Sequence, residues 1–64
     1  MANYTRDVKK ILTDNGCYFI RHGKGDHDIW YSPIGNRIVV VDHKINRQPT
    51  ANGILKDAGI DQKL

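Results

Sequence analysis

Near the start of the chain, apolar residues recur at the spacing of a helix. Val8, Ile11 and Leu12 fall at i, i+3 and i+4 and make one stripe, while Lys9, Lys10 and Asp14 fall off it. Thr5 is the expected N-cap, and Asp7 brings a negative charge to the first turn, where it suits the helix dipole. Asn15-Gly16 ends the segment, with Gly16 suited to the left-handed position just past a helix.

The pattern then changes from helical to strand-like. CYFIRH, from Cys17 to His22, is rich in strand formers, and Gly23-Lys24-Gly25-Asp26 reads as a turn. HDIWYS, from His27 to Ser32, is a second strand, followed by the turn Pro33-Ile34-Gly35-Asn36. RIVVVD, from Arg37 to Asp42, is a third, and its valine run predicts burial on both sides. Short turns between successive strands predict an antiparallel meander. CYFIRH and HDIWYS are apolar on both alternations, so the pattern does not say which face is inside.

After a polar connection from His43 to Gln48, helical spacing returns. Pro49 is expected at the first helical position, with Gln48 or Thr50 as cap. Ala51, Ile54, Leu55 and Ala58 make the stripe, Gly59 closes the helix, and Ile60 is placed to fold back on it. The predicted class is α+β, in the order α-β-β-β-α. Neither helix can bury its stripe alone, so both are expected on one face of a three-stranded sheet, with the other face left wet.

Length narrows the chemistry. With 64 residues, positions 1–64 are expected to form a single domain. A domain this small buries only about 60% of its unfolded surface, so any active site should be shallow, and an enclosed pocket for a bulky organic cofactor is not expected. The lone Cys17 excludes an internal disulfide, a zinc ribbon and a CxxC redox pair, and it fits a reducing cytoplasm. Cys17 follows a helix stop in an apolar segment and reads as a core residue. No apolar run approaches the about 20 residues of a membrane span, and the N-terminus carries no apolar signal core. The net charge of +3 biases the surface toward polyanions.

Candidate chemistry centres on His22, His27 and His43. A metal site needs histidines to converge with a carboxylate, and Asp26, Asp28 and Asp42 are near in sequence. No HxH, HExxH or Cys/His spacing is present, however, so no metal is assigned. The amides of Gly23-Lys24-Gly25 either cradle a phosphate or make a plain hairpin turn; no helix follows, which excludes a P-loop. In an antiparallel sheet, the 23–26 turn and the region after Asp42 share one end. Arg21, Lys24, His27, His43 and Lys44 then share one edge, with Arg37 and Arg47 further off. An imidazole among cations is what metal-free RNA cleavage requires. The ring moves a proton near neutral pH, and the cations stabilise charge on the phosphoryl group.

These residues also carry a family resemblance spanning nearly the whole chain. The opening KKILTDNGCYFIRH, Arg21 followed by GKGDHDIW, the strand VVVDHK and the helix TANGILKDAGI together resemble the HicA (YcfA-like) toxins of bacterial and phage toxin–antitoxin pairs. The resemblance implies a fold like the double-stranded-RNA-binding domain. It also implies a type II toxin that cleaves mRNA without metal or cofactor, and neutralisation by a HicB-type antitoxin. The toxin is then expected to be a monomer alone and a hetero-oligomer with its antitoxin. The boxed catalytic histidine falls on His27, with Gly25 and Asp26 at the Gly-Ser positions. Asp26 stands where serine is frequent, and its carboxylate either orients His27 or opposes phosphate. Asp42 stands where proline is frequent, before His43. Arg21, Lys24, Gly25, Lys44 and Arg47 are the expected RNA contacts. The second proton-transfer group is left open among His43, Tyr31, a lysine and water. Two other readings use the same residues: a non-catalytic RNA-binding module of this fold, and an adaptor that binds a protein through Trp30 and Tyr31.

Overall fold

Each segment marked by the hydrophobic pattern becomes an element in the computed structural model, which describes residues 3–64; positions 1 and 2 of the expected domain lie outside them. The order is α1 (Thr5–Asp14), β1 (Tyr18–His22), β2 (His27–Ser32), β3 (Arg37–Asp42) and α2 (Gln48–Asp57). The strands form an antiparallel sheet in the order β1-β2-β3, as their short connections require. One register irregularity interrupts β1 between Phe19 and Arg21. Among the described residues, no helix is long and apolar enough to cross a membrane.

Both helices end as their sequences predict. Gly16 and Gly59 have φ of +86° and +82°, conformations that L side chains rarely adopt. The amide of Cys17 reaches the Leu12 carbonyl at 2.9 Å, and that of Ile60 reaches Leu55 at 2.9 Å, the bond that closes a Schellman motif. Gly59 is also sterically required, because a Cβ there would lie 2.8 Å from Cγ2 of Ile34.

The helix starts differ from expectation. Tyr4, not Thr5, occupies the N-cap of α1, with no side-chain capping bond. The Thr5 hydroxyl instead accepts from the Ile45 amide at 2.9 Å, tying α1 to the segment after β3. Helix α2 starts at Gln48 with Arg47 as N-cap, again without a side-chain bond, so Pro49 is the second helical residue and neither Gln48 nor Thr50 caps. Cys17 lies just outside β1 and is buried, as a core residue should be.

One core joins the two helices to one face of the sheet. Val8, Ile11 and Leu12 of α1 and Ala51, Ile54 and Leu55 of α2 cluster with Trp30, Val39 and Val41. The valine run is therefore buried on one side only: Val39 and Val41 are inside, while Ile38 and Val40 are 60% and 51% exposed on the other face. The connection after β3 is not wholly polar, because Ile45 is fully buried. Trp30 packs in the core against Phe19, with ring centroids 6.4 Å apart, and cannot anchor a protein partner from there. Its Nε1 finds no hydrogen-bond partner among the described residues.

Ser32 is fully buried on the inner face. Its hydroxyl donates to the Ala58 carbonyl at 2.6 Å and accepts from the Ile34 amide at 3.3 Å. This links the end of β2 to the end of α2. Ser32→Ala strands both backbone groups and is expected to cost about 1–3 kcal/mol in urea unfolding. A change within about 0.5 kcal/mol, the range of ordinary surface substitutions, would show that these bonds contribute nothing net.

Candidate active site and a histidine cluster behind it

The antiparallel register brings the 23–26 turn and the end of β3 together, as expected from the strand order. His27 pairs with Asp42 across β2 and β3, and the His43 amide donates to the Asp26 carbonyl at 2.9 Å. Asp26, His27, Asp42, His43 and Lys44 line an open cleft of about 470 Å³ at this end.

His27 is the first residue of β2 and lies on the outer face, with its side chain 48% exposed. Both ring nitrogens meet oxygen. Nδ1 lies 3.1 Å from the Lys24 carbonyl, and Nε2 lies 3.1 Å from Oδ1 of Asp42. Only a doubly protonated imidazole donates in both directions. The Lys24 carbonyl can only accept, so it fixes Nδ1 as a donor and leaves Nε2 facing the Asp42 carboxylate. The carboxylate that holds His27 is thus Asp42, not the neighbouring Asp26.

The expected cations are only partly gathered. Lys44 lines the cleft, facing two aspartates there. Arg21 lies on the outer face two residue pairs along from His27, and its guanidinium donates to the His22 carbonyl at 3.3 Å. Lys24 and Gly25 sit in the turn, where the Gly23 amide bonds to the His27 carbonyl at 2.7 Å. That bond makes the turn a hairpin closure. Arg47 sits at the start of α2 and does not line the cleft. Tyr31 is too far away for a second proton-transfer role. It lies four residues along β2, about 13 Å at strand rise, and its hydroxyl donates to Asn36 at 2.5 Å.

Behind the cleft, on the inner face, lies a cluster that motif spacing did not reveal. Oδ1 of Asp28 lies 2.8 Å from Nδ1 of His22 and 2.9 Å from Nε2 of His43. The Asp28 side chain is only 8% exposed, whereas those of His22 and His43 are 76% and 45% exposed. His43 therefore borders the cleft but commits Nε2 to Asp28. The available sequence signals were strand parity, which puts Asp28 on the same face as Trp30, and a short hairpin, which sets His22 opposite it.

Burial pushes the Asp28 carboxyl up, but hydrogen bonds from His43 and His22, with their charge, outweigh it and hold the group below its ordinary value. A carboxyl depressed on folding stabilises the protein above its unfolded pKa, and that contribution is lost as pH falls through the folded value. In EDTA, wild type is expected to be more stable than Asp28→Asn at neutral pH, with the gap closing below about pH 4. Urea midpoints across pH measure this. A gap that does not change with pH would mean that Asp28 is uncharged in the fold.

The comparisons with known proteins agree with this architecture. The family model described as the HicA toxin of bacterial toxin–antitoxin systems matches residues 5–60. No curated protein and no solved structure matches the chain closely enough to count as a relative. The match runs from the first residue of α1 past the end of α2 and takes in every strand. On that coverage, the chain belongs to the HicA toxin family of bacterial toxin–antitoxin systems.

Proposed function

We propose that this protein is the toxin of a type II pair, a metal-independent endoribonuclease that cleaves mRNA with His27 as its acid/base group. The observation that carries the reading is the half-exposed His27 ring at the mouth of the cleft, with Nδ1 held by the Lys24 carbonyl. The reaction is attack of a ribose 2′-oxygen on the adjacent phosphorus. A P–O bond to the 2′-oxygen forms and the P–O bond to the 5′-oxygen breaks. The products are a 2′,3′-cyclic phosphate and a free 5′-hydroxyl. A proton leaves the 2′-hydroxyl and a proton reaches the 5′-oxygen, so the balance needs no outside reactant.

Nε2 of His27 carries one of these transfers, and Asp42 steadies the imidazolium. Substrate must turn Asp42 aside to reach Nε2, and Asp42 is exposed enough, at 40%, to move. Lys44, which lines the cleft, supplies positive charge to the phosphates, with Arg21 on the outer face and the Lys24-Gly25 turn as further contacts, and Arg47, at the start of α2, meets RNA only outside the cleft. Water or a lysine is left for the second transfer, because Tyr31 is distant and His43 is engaged by Asp28. One histidine in one protonic role makes a slow ribonuclease, which is enough for a toxin.

The partner on this reading is a HicB-type antitoxin. Support comes from the outer sheet face, where Tyr18, Ile38 and Val40 are exposed beside the row that begins with His27. The test is RNA integrity in EDTA with wild type beside His27→Ala, with RNA binding measured for both. Cleavage by wild type alone supports the proposal. Equal cleavage refutes the role of His27, and salt-dependent binding without cleavage by either protein identifies a non-catalytic RNA-binding module.

A further inference from the structure

The cluster of His22, Asp28 and His43 lies on the inner side of the sheet, while His27 lies on the outer side, so it takes no part in the proposed reaction. We propose that His22 Nδ1, Asp28 Oδ1 and His43 Nε2 form a binding site for a divalent transition-metal ion, with zinc as the best fit.

Three adjacent segments of the sheet each supply one donor. His22 is the last residue of β1, Asp28 sits opposite it on β2, and His43 follows β3. Asp28 pairs with Val41, so His43, two residues beyond Val41, returns to the same face. The three donor atoms lie within 4.8 Å of one another. Around zinc, with bonds of about 2.0–2.2 Å, tetrahedral donors stand about 3.4 Å apart. The two short N···O separations must open by about half an ångström to reach that value, and the exposed imidazoles can move that far. Two neutral imidazoles and one carboxylate are a donor set suited to zinc and its neighbours, and unsuited to magnesium or calcium, which prefer oxygen.

Two further features prepare this hydrogen-bonded trio to take an ion. Both imidazoles converge on the same oxygen, Oδ1, instead of dividing the carboxylate between them. The rings are also braced: Phe19 meets His22 edge-on at 5.2 Å, and His22 meets His43 at 6.1 Å. The donors therefore enter binding partly ordered, with a fourth position left for water. A bound ion fastens the three strand ends that frame the cleft.

Full-length protein stripped with EDTA and then freed of it is titrated with zinc chloride by calorimetry, and separately with cobalt chloride by visible absorption. One equivalent of zinc is expected to bind, the thermal midpoint is expected to climb with zinc concentration, and cobalt is expected to give the ligand-field bands of a nitrogen–oxygen site. His22→Gln and His43→Gln alter exposed side chains, and circular dichroism checks that they stay folded. Each is expected to weaken binding by more than the roughly 100-fold that losing an outer partner costs, while His27→Gln keeps full binding. The proposal is overturned by no saturable uptake in wild type, by unchanged uptake in both cluster variants, or by loss of uptake in His27→Gln.

Discussion

His27→Ala is expected to reduce RNA cleavage by about 10²–10⁴-fold, the span that one positioned acid/base group contributes. Its expression should permit growth where wild type arrests it. The loss should be chemical and not structural. The ring is half exposed, its ion pair with Asp42 is also exposed, and such pairs are worth only about 0–1 kcal/mol. RNA affinity should survive too, because the proposed reading assigns it to lysine and arginine contacts with phosphate. The informative measurement is single-turnover cleavage beside binding at two salt concentrations. A variant that binds and no longer cuts supports a protonic role for His27. A variant that cuts at the wild-type rate leaves the cleft without its proposed chemistry.

Leu55→Ala should have the largest effect on stability. Leu55 is fully buried in α2, where the stripes of both helices meet the sheet. Truncating such a side chain costs about 2–5 kcal/mol, the range reflecting how far the site collapses around the gap. For 64 residues, total stability at about 0.05–0.15 kcal/mol per residue is only about 3–10 kcal/mol. The loss is thus comparable with everything that holds the domain together. A large unfolded fraction is expected at 37 °C, and toxicity should vanish although the cleft is untouched. Urea and thermal unfolding test this. A midpoint close to that of wild type would mean that α2 is not integral to the core.

These two effects differ in how visible they were beforehand. The place of Leu55 follows from the spacing of Ala51, Ile54, Leu55 and Ala58, which a helix turns into a stripe whatever surrounds it. The helix ends were equally legible, since Gly16 and Gly59 meet a local steric demand. So was the end of the sheet that holds His27, because short hairpins fix strand direction. The start of α1 depends on more than local sequence. The Thr5 hydroxyl meets Ile45, 40 positions away, and no nearest-neighbour rule anticipates that bond.

By itself, then, the sequence determined the element order, both helical stripes and their stops, the meander and the end of the sheet where His27 sits. Each of these depends on neighbours a few residues apart, and the matched toxin family runs through the same segments. Only the tertiary structure decided which sheet face is inside. In β2 the polar Asp28 and Ser32 are buried and Ile29 and Tyr31 face outward, against simple hydrophobic expectation. The inversion holds because the buried polar atoms find partners from distant segments: His22 and His43 for Asp28, and the Ala58 carbonyl for Ser32. Burying a polar group is tolerable only when it is hydrogen-bonded, and those partners exist only after the chain has folded. The same packing gave His27 its Asp42 and drew His22, Asp28 and His43 together.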